Sequence, residues 1–318
     1  MNRDINFSVW LDFIERDYLQ NGEFQKLIDN GIINGATSNP AIFEKAFSTS
    51  SAYKNDIERM KKEGLSSKEI YENLAVEDIK IGAEKLKPLC ETGNMGFVSI
   101  EVDPFFADDV KKTVEEGVRL YEKIGMKNVM IKIPATEAGY GAMEELFSRD
   151  IPVNATLIFT LDEAIKSAEA MKRGLIRSKN KTASGVLSVF VSRLDVATNS
   201  VHFGIANSSY IYREIEKRQY PNVTTLFAST GVKNPDLPED YYIRGLIGKN
   251  SINTAPLKTI EAYVKNGSGG DEVLPLDEKQ ESEILNSIKN SDEILENLKS
   301  AGLKAFEESF SKTLKMFE

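Results

Sequence analysis

Short apolar runs alternate with longer helical segments along this sequence, and that alternation restricts the folds open to it. Eight runs read as strands: 8–12, 32–40, 96–101, 128–136, 153–159, 184–191, 222–229 and 242–247, the last interrupted by Gly245. Between them, 22–30, 108–124, 136–147, 160–176, 202–218 and 256–264 read as helices, and 41–88 is helical and charged with a turn at Gly64. Strands alternating with helices imply βαβ units and a parallel sheet. Eight strands predict a closed (β/α)8 barrel, a fold that 318 residues can complete as one domain over 1–318. An open doubly wound sheet is the alternative, but no Gly-x-Gly-x-x-Gly opens a helix after a strand. The charged tail 281–318 predicts a helical extension packed on the outside of the barrel or over one of its mouths.

Composition narrows the chemistry. A net charge of −9 argues against a general nucleic-acid or anionic-membrane surface, yet leaves room for a local site for an anionic metabolite. No stretch approaches the roughly 20 apolar residues of a membrane helix, and the first residues lead into no apolar core of signal-peptide length. The expected location is therefore the cytoplasm. With one cysteine, Cys90, and one histidine, His202, a disulfide framework is impossible and a Cys/His metal cluster nearly so. His202, beside Phe203 in a helical stretch, reads as structural rather than as part of a triad. Acid–base work falls to Asp, Glu, Lys or Tyr.

The most informative run is 128–136, where branched apolar residues stop at Pro134 and one charge, Lys132, sits near the end. Side chains alternate along a strand, so Val129, Ile131 and Ile133 point one way and Met130 and Lys132 the other. An ammonium in such company must be paired or give up its proton. Other strands also carry polar groups, although barrel strands normally read as near-continuous apolar runs. Asp12, Asn39 and Glu101 end the first three; Asn154 and Thr156 share a face of the fifth; Ser188 shares a face with Phe190 on the sixth. Asn39 beside Pro40, or Ser188 alone, could be a satisfied cap or turn group. Glu101 and Lys132 together point to a lined pocket, because barrel enzymes gather their active groups at the carboxyl ends of the strands.

An amine, two carboxylates and neighbouring hydroxyls suit carbonyl chemistry with no cofactor. A neutral lysine attacks a ketone and forms an imine, whose protonated form draws electrons from an adjacent carbon–carbon bond. One carboxylate takes the proton from the β-hydroxyl as that bond breaks. Two other readings use the same residues: a metal-dependent barrel enzyme with Asp12 and Glu101 as ligands, and a non-catalytic sugar-phosphate binding protein.

Five motifs carry a family resemblance: Trp10-Leu11-Asp12, Thr37-Ser38-Asn39-Pro40-Ala41-Ile42-Phe43, Val129-Met130-Ile131-Lys132-Ile133-Pro134-Ala135-Thr136, Asn154-Ala155-Thr156-Leu157-Ile158-Phe159 and Ser188-Val189-Phe190-Val191-Ser192-Arg193. Together they closely resemble transaldolase, in order and over almost the whole chain. The resemblance implies a class I aldolase-type barrel of the pentose phosphate pathway. Such an enzyme moves a dihydroxyacetone unit from sedoheptulose 7-phosphate to glyceraldehyde 3-phosphate, giving erythrose 4-phosphate and fructose 6-phosphate. It implies Lys132 as the Schiff-base lysine, Asp12 as the acid–base group for cleavage, and Glu101 with Thr156 for the catalytic water. Asn39, Asn154 and Ser188 would hold the sugar hydroxyls, with Phe190 in the same substrate-binding group, and Arg193 would clamp the phosphate. Where many members have an Ala-Ser-Phe-Arg run, this chain reads Ala228-Ser229-Thr230-Gly231-Val232-Lys233, like a bacterial subgroup. Ser229, backbone amides near Gly231, or Lys233 could supply the second phosphate ligand. The resemblance also allows a homodimer.

Overall fold

A computed structural model describes residues 5–318. Eight parallel strands close into a barrel in the order β1-β2-β3-β4-β5-β6-β7-β8. They are β1 Ser8–Leu11, β2 Gly35–Thr37, β3 Phe97–Glu101, β4 Val129–Pro134, β5 Val153–Ile158, β6 Gly185–Phe190, β7 Val223–Ala228 and β8 Ile252–Ala255. Closure runs through β1 and β8, with Trp10 opposite Thr254 and Leu11 opposite Ala255. The expected (β/α)8 barrel is present.

The two-residue alternation sorts the strand side chains into two cores. Val9, Leu11, Val129, Ile131, Ile133, Leu187 and Val189 face outward and pack with the surrounding helices. Trp10, Met130, Val186, Leu226 and Ile252 share a separate cluster that fills the barrel. Trp10 fits because Gly35 lies against its ring: a Cβ at position 35 would come within 2.4 Å of the indole. Further along, the interior turns polar. Asn154 Nδ2 donates to Ser99 Oγ at 3.0 Å, and Ser188 Oγ donates to Asn154 Oδ1 at 2.7 Å. The apolar plug and this polar belt leave the carboxyl end of the barrel for functional groups.

Local capping chemistry sets several helix starts. Asp109 accepts from Lys112 N at 3.0 Å and begins the helix Val110–Ile124. Thr136 Oγ1 accepts from Gly139 N at 2.9 Å and begins Glu137–Ser148. Thr160 and Glu163 form the expected capping box at the start of Leu161–Arg177.

Several segments differ from the sequence reading, including a short helix at Arg16–Gln20 and a second strand confined to Gly35–Thr37. Residues 242–247 are not the eighth strand. Tyr241–Gly245 is a short helix with Tyr242 and Ile243 buried at consecutive positions, and Gly245 lies close to Ile205. The true strand, Ile-Asn-Thr-Ala, reads as loop because it is half polar. Its Asn253 Nδ2 donates to Tyr242 O at 3.2 Å, and Thr254 faces the polar end of the barrel. A helix at Ser192–Thr198, directly after β6, also escaped the pattern. The tail forms two helices, Glu278–Asn286 and Ser291–Met316. The second packs against β5, the helices Pro40–Thr49 and Ser192–Thr198, and the turn Pro104–Phe106. Those helices and that turn follow the carboxyl ends of β2, β6 and β3, so the last helix crosses that mouth. Among the described residues, no helix is long and apolar enough to cross a membrane.

Candidate active site

Lys132 is buried inside the barrel at the end of β4, paired in register with Glu101 on β3 and Asn154 on β5. Its Nζ lies 3.2 Å from Glu101 Oε2 and donates to the Ser38 carbonyl at 3.1 Å. Both Glu101 oxygens are buried without an aligned hydrogen bond, and so is Thr156 Oγ1. Burial raises the Glu101 carboxyl; Lys132 opposes that shift and Asp12 adds to it.

Asp12 follows β1 and lines the same pocket as Lys132. Burial raises its carboxyl above the ordinary value, while the Lys132 charge and a hydrogen bond from Thr37 hold it down. Thr37 Oγ1 donates to Asp12 Oδ1 at 2.6 Å and lies 2.7 Å from Thr254 Oγ1. The carboxylate is thus aimed by the Thr37 hydroxyl from β2, which is held in turn by Thr254 from β8.

The pocket has a volume of about 140 Å³, enough for a small polar molecule rather than a single water. Besides Asp12 and Lys132 its walls include Asn39, Ser188, Phe190 and Arg193. Asn39 does two jobs. Its Oδ1 caps Pro40–Thr49 by accepting from Ile42 N at 3.0 Å, and the residue still faces the pocket. Arg193 has no hydrogen-bond or carboxylate partner among the described residues; its guanidinium lies 5.5 Å from the Phe190 ring centroid. Burial without a counter-charge lowers its pKa. A cation left unpaired at a pocket wall suits an anionic ligand.

Most of the residues picked from sequence converge here. Asn154 sits below the pocket, committed to Ser99 and Ser188. Ser229 lines the pocket with φ 55°, its Oγ 3.1 Å from Ser192 Oγ. Lys233 is exposed in the loop after β7 and is not among the residues lining the pocket. Five wall residues were missed, among them the alanines Ala41 and Ala228. Thr37 stands two positions before Asn39, where strand parity could have found it. Thr254 was hidden by the misplaced eighth strand. Phe306 belongs to the C-terminal helix, and helical spacing cannot tell a residue that roofs a mouth from one that packs on a flank. A cleft of about 730 Å³ shares Asp12, Asn39 and Ala41 with the pocket and opens outward from it.

A closed parallel barrel whose carboxyl face holds a buried amine beside Glu101, opening on a pocket that Asp12 also lines, defines a (β/α)8 barrel enzyme. The profile of the Transaldolase/Fructose-6-phosphate aldolase family matches residues 9–317, and the chain belongs to that family. Relatives agree. The transaldolase of Campylobacter jejuni (strain ATCC 700819 / NCTC 11168) is 48% identical over 273 residues, covering 81% of this chain and 83% of its own. The transaldolase of Helicobacter pylori (strain ATCC 700392 / 26695) is 41% identical over 323 residues, covering 98% and 99%.

Proposed function

We propose that this chain works as a transaldolase of the pentose phosphate pathway, moving a dihydroxyacetone unit between sugar phosphates through an imine on Lys132. The observation that carries this reading is the buried Lys132 amine, 3.2 Å from Glu101 and open to the pocket that Asp12 lines. Lys132 attacks the ketone of sedoheptulose 7-phosphate. Glu101 and Thr156, which both have hydrogen-bonding capacity left inside the barrel, handle the water lost as carbinolamine becomes imine. Asp12 takes the proton from the β-hydroxyl, the carbon–carbon bond breaks, and erythrose 4-phosphate leaves. The enamine then adds to glyceraldehyde 3-phosphate, Asp12 returns the proton, and hydrolysis frees fructose 6-phosphate.

Asn39 and Ser188 hold hydroxyls of the three-carbon unit, Asn154 fixes Ser188, and Phe190 walls one side. Arg193 takes the phosphate. Ser229 is better placed than Lys233 to assist, since it lines the pocket. No cofactor enters this chemistry. A cytoplasmic location and a homodimer belong to the same reading.

The direct test is borohydride reduction with fructose 6-phosphate, followed by digestion and mass spectrometry. The adduct mass should fall on Lys132; a label on another residue, or none, would overturn the assignment. An aldolase that releases free dihydroxyacetone is the nearest rival. Loss of fructose 6-phosphate should require erythrose 4-phosphate, and equal loss without it would favour the rival. Replacing Arg193 by alanine should raise KM for phosphorylated sugars about 10- to 100-fold, the worth of one charge-assisted contact, with kcat changed less. An unchanged KM would place the phosphate elsewhere.

A further inference from the structure

The C-terminal helix Ser291–Met316 brings a side chain to the reacting amine. Phe306 lines the pocket and is 4% exposed, with its ring centroid 5.5 Å from Lys132 Nζ. The helix is latched next to the same strand. Lys299 Nζ pairs with Glu163 at 2.9 Å and donates to the carbonyl of Ala135, which follows β4 directly. Gly302 lets the helix sit close: a Cβ there would meet Leu157 Cδ2 at 2.8 Å and Arg193 Nη1 at 3.5 Å. Asp12, Ser188 and Arg193 offer polar contacts around the amine, and Phe306 offers none.

We infer that Phe306 is a specificity-determining residue: its ring shields the Lys132 adduct from water and so favours transfer over release. The inference rests on the transaldolase reading above. After cleavage the three-carbon unit is an enamine, and two fates compete. In transfer, its carbon attacks an aldose phosphate. In release, that carbon takes a proton, water adds across the carbon–nitrogen double bond, and the carbon–nitrogen bond breaks. Lys132 is regenerated as the amine and free dihydroxyacetone leaves, so the donor ketose has become dihydroxyacetone plus an aldose phosphate. An apolar ring over the adduct keeps water from protonating the enamine carbon, the step that only release needs, while the water that Glu101 and Thr156 handle at the imine carbon serves both fates.

The test compares wild type with Phe306→Ala and Phe306→Leu, using fructose 6-phosphate with and without erythrose 4-phosphate. Free dihydroxyacetone is measured against sedoheptulose 7-phosphate. Phe306→Ala should still give a borohydride adduct on Lys132, while the ratio of release to transfer rises about tenfold or more. Phe306→Leu keeps an apolar cover and should stay near wild type. Should the alanine variant fail to fold, Lys299→Met decides, because it loosens the helix from outside the pocket and should raise the ratio by a smaller factor. A ratio unchanged in Phe306→Ala with the adduct intact, or unchanged in Lys299→Met where that variant decides, would overturn the shielding role alone. A wild type with no Lys132 adduct would overturn the transaldolase reading together with it.

Discussion

Lys132→Ala is expected to abolish turnover, by about 10⁴-fold or more, and to eliminate the borohydride adduct. The reason is chemical rather than steric. Among the described residues, no other lysine lines the pocket to offer a second amine to the ketone. Lys132→Arg sharpens the test. It keeps a positive charge beside Glu101, but a guanidinium stays protonated and does not form an imine. It should be as inactive as alanine. An active arginine variant would mean that position 132 acts through its charge, and the covalent mechanism would fall. Circular dichroism should show both variants folded.

Asp12→Asn is the second large effect. Turnover should fall about 10²- to 10⁴-fold, the usual weight of a positioned acid–base group. Imine formation should survive, since the asparagine variant keeps Lys132, Glu101 and Thr156. The expected pattern is a trapped Lys132 adduct with little product; wild-type turnover would remove Asp12 from the mechanism. The pH profile adds a signature. Asp12 must be ionised to accept the β-hydroxyl proton, so kcat/KM falls as pH drops through its pKa. Burial raises that value, with Lys132 and Thr37 opposing, so the acid limb should lie above the ordinary carboxylate range of about 4. Thr37→Val removes a hydrogen bond that favours the ionised form and should move the limb to higher pH. A limb that stays in place would belong to another group.

The candidate site was legible in part because barrel strands are expected to be apolar. Glu101 and Lys132 broke that pattern on adjacent strands, and the register sets them side by side. Strand parity likewise separated Met130 and Lys132 from Val129, Ile131 and Ile133, as the two clusters bear out. The same logic failed for the eighth strand. Ile252–Ala255 faces the polar end of the barrel, so its Asn and Thr hid it, while the apolar Tyr242–Ile243 pair suggested a strand where a helix turn packs. Asn154 shows another limit. Its place on the strand was readable, but its engagement with Ser99 and Ser188 depends on three strands meeting inside the barrel.

By itself the sequence determined the barrel, the buried amine and the carboxylates at the strand ends, because these follow from local alternation along single strands. Only the tertiary structure decided which groups meet across the barrel: Thr37 and Thr254 around Asp12, Arg193 without a partner, and Phe306 over Lys132. Those contacts join residues up to 217 positions apart. Closure of the barrel and the path of the last helix bring them together, and no local periodicity encodes either.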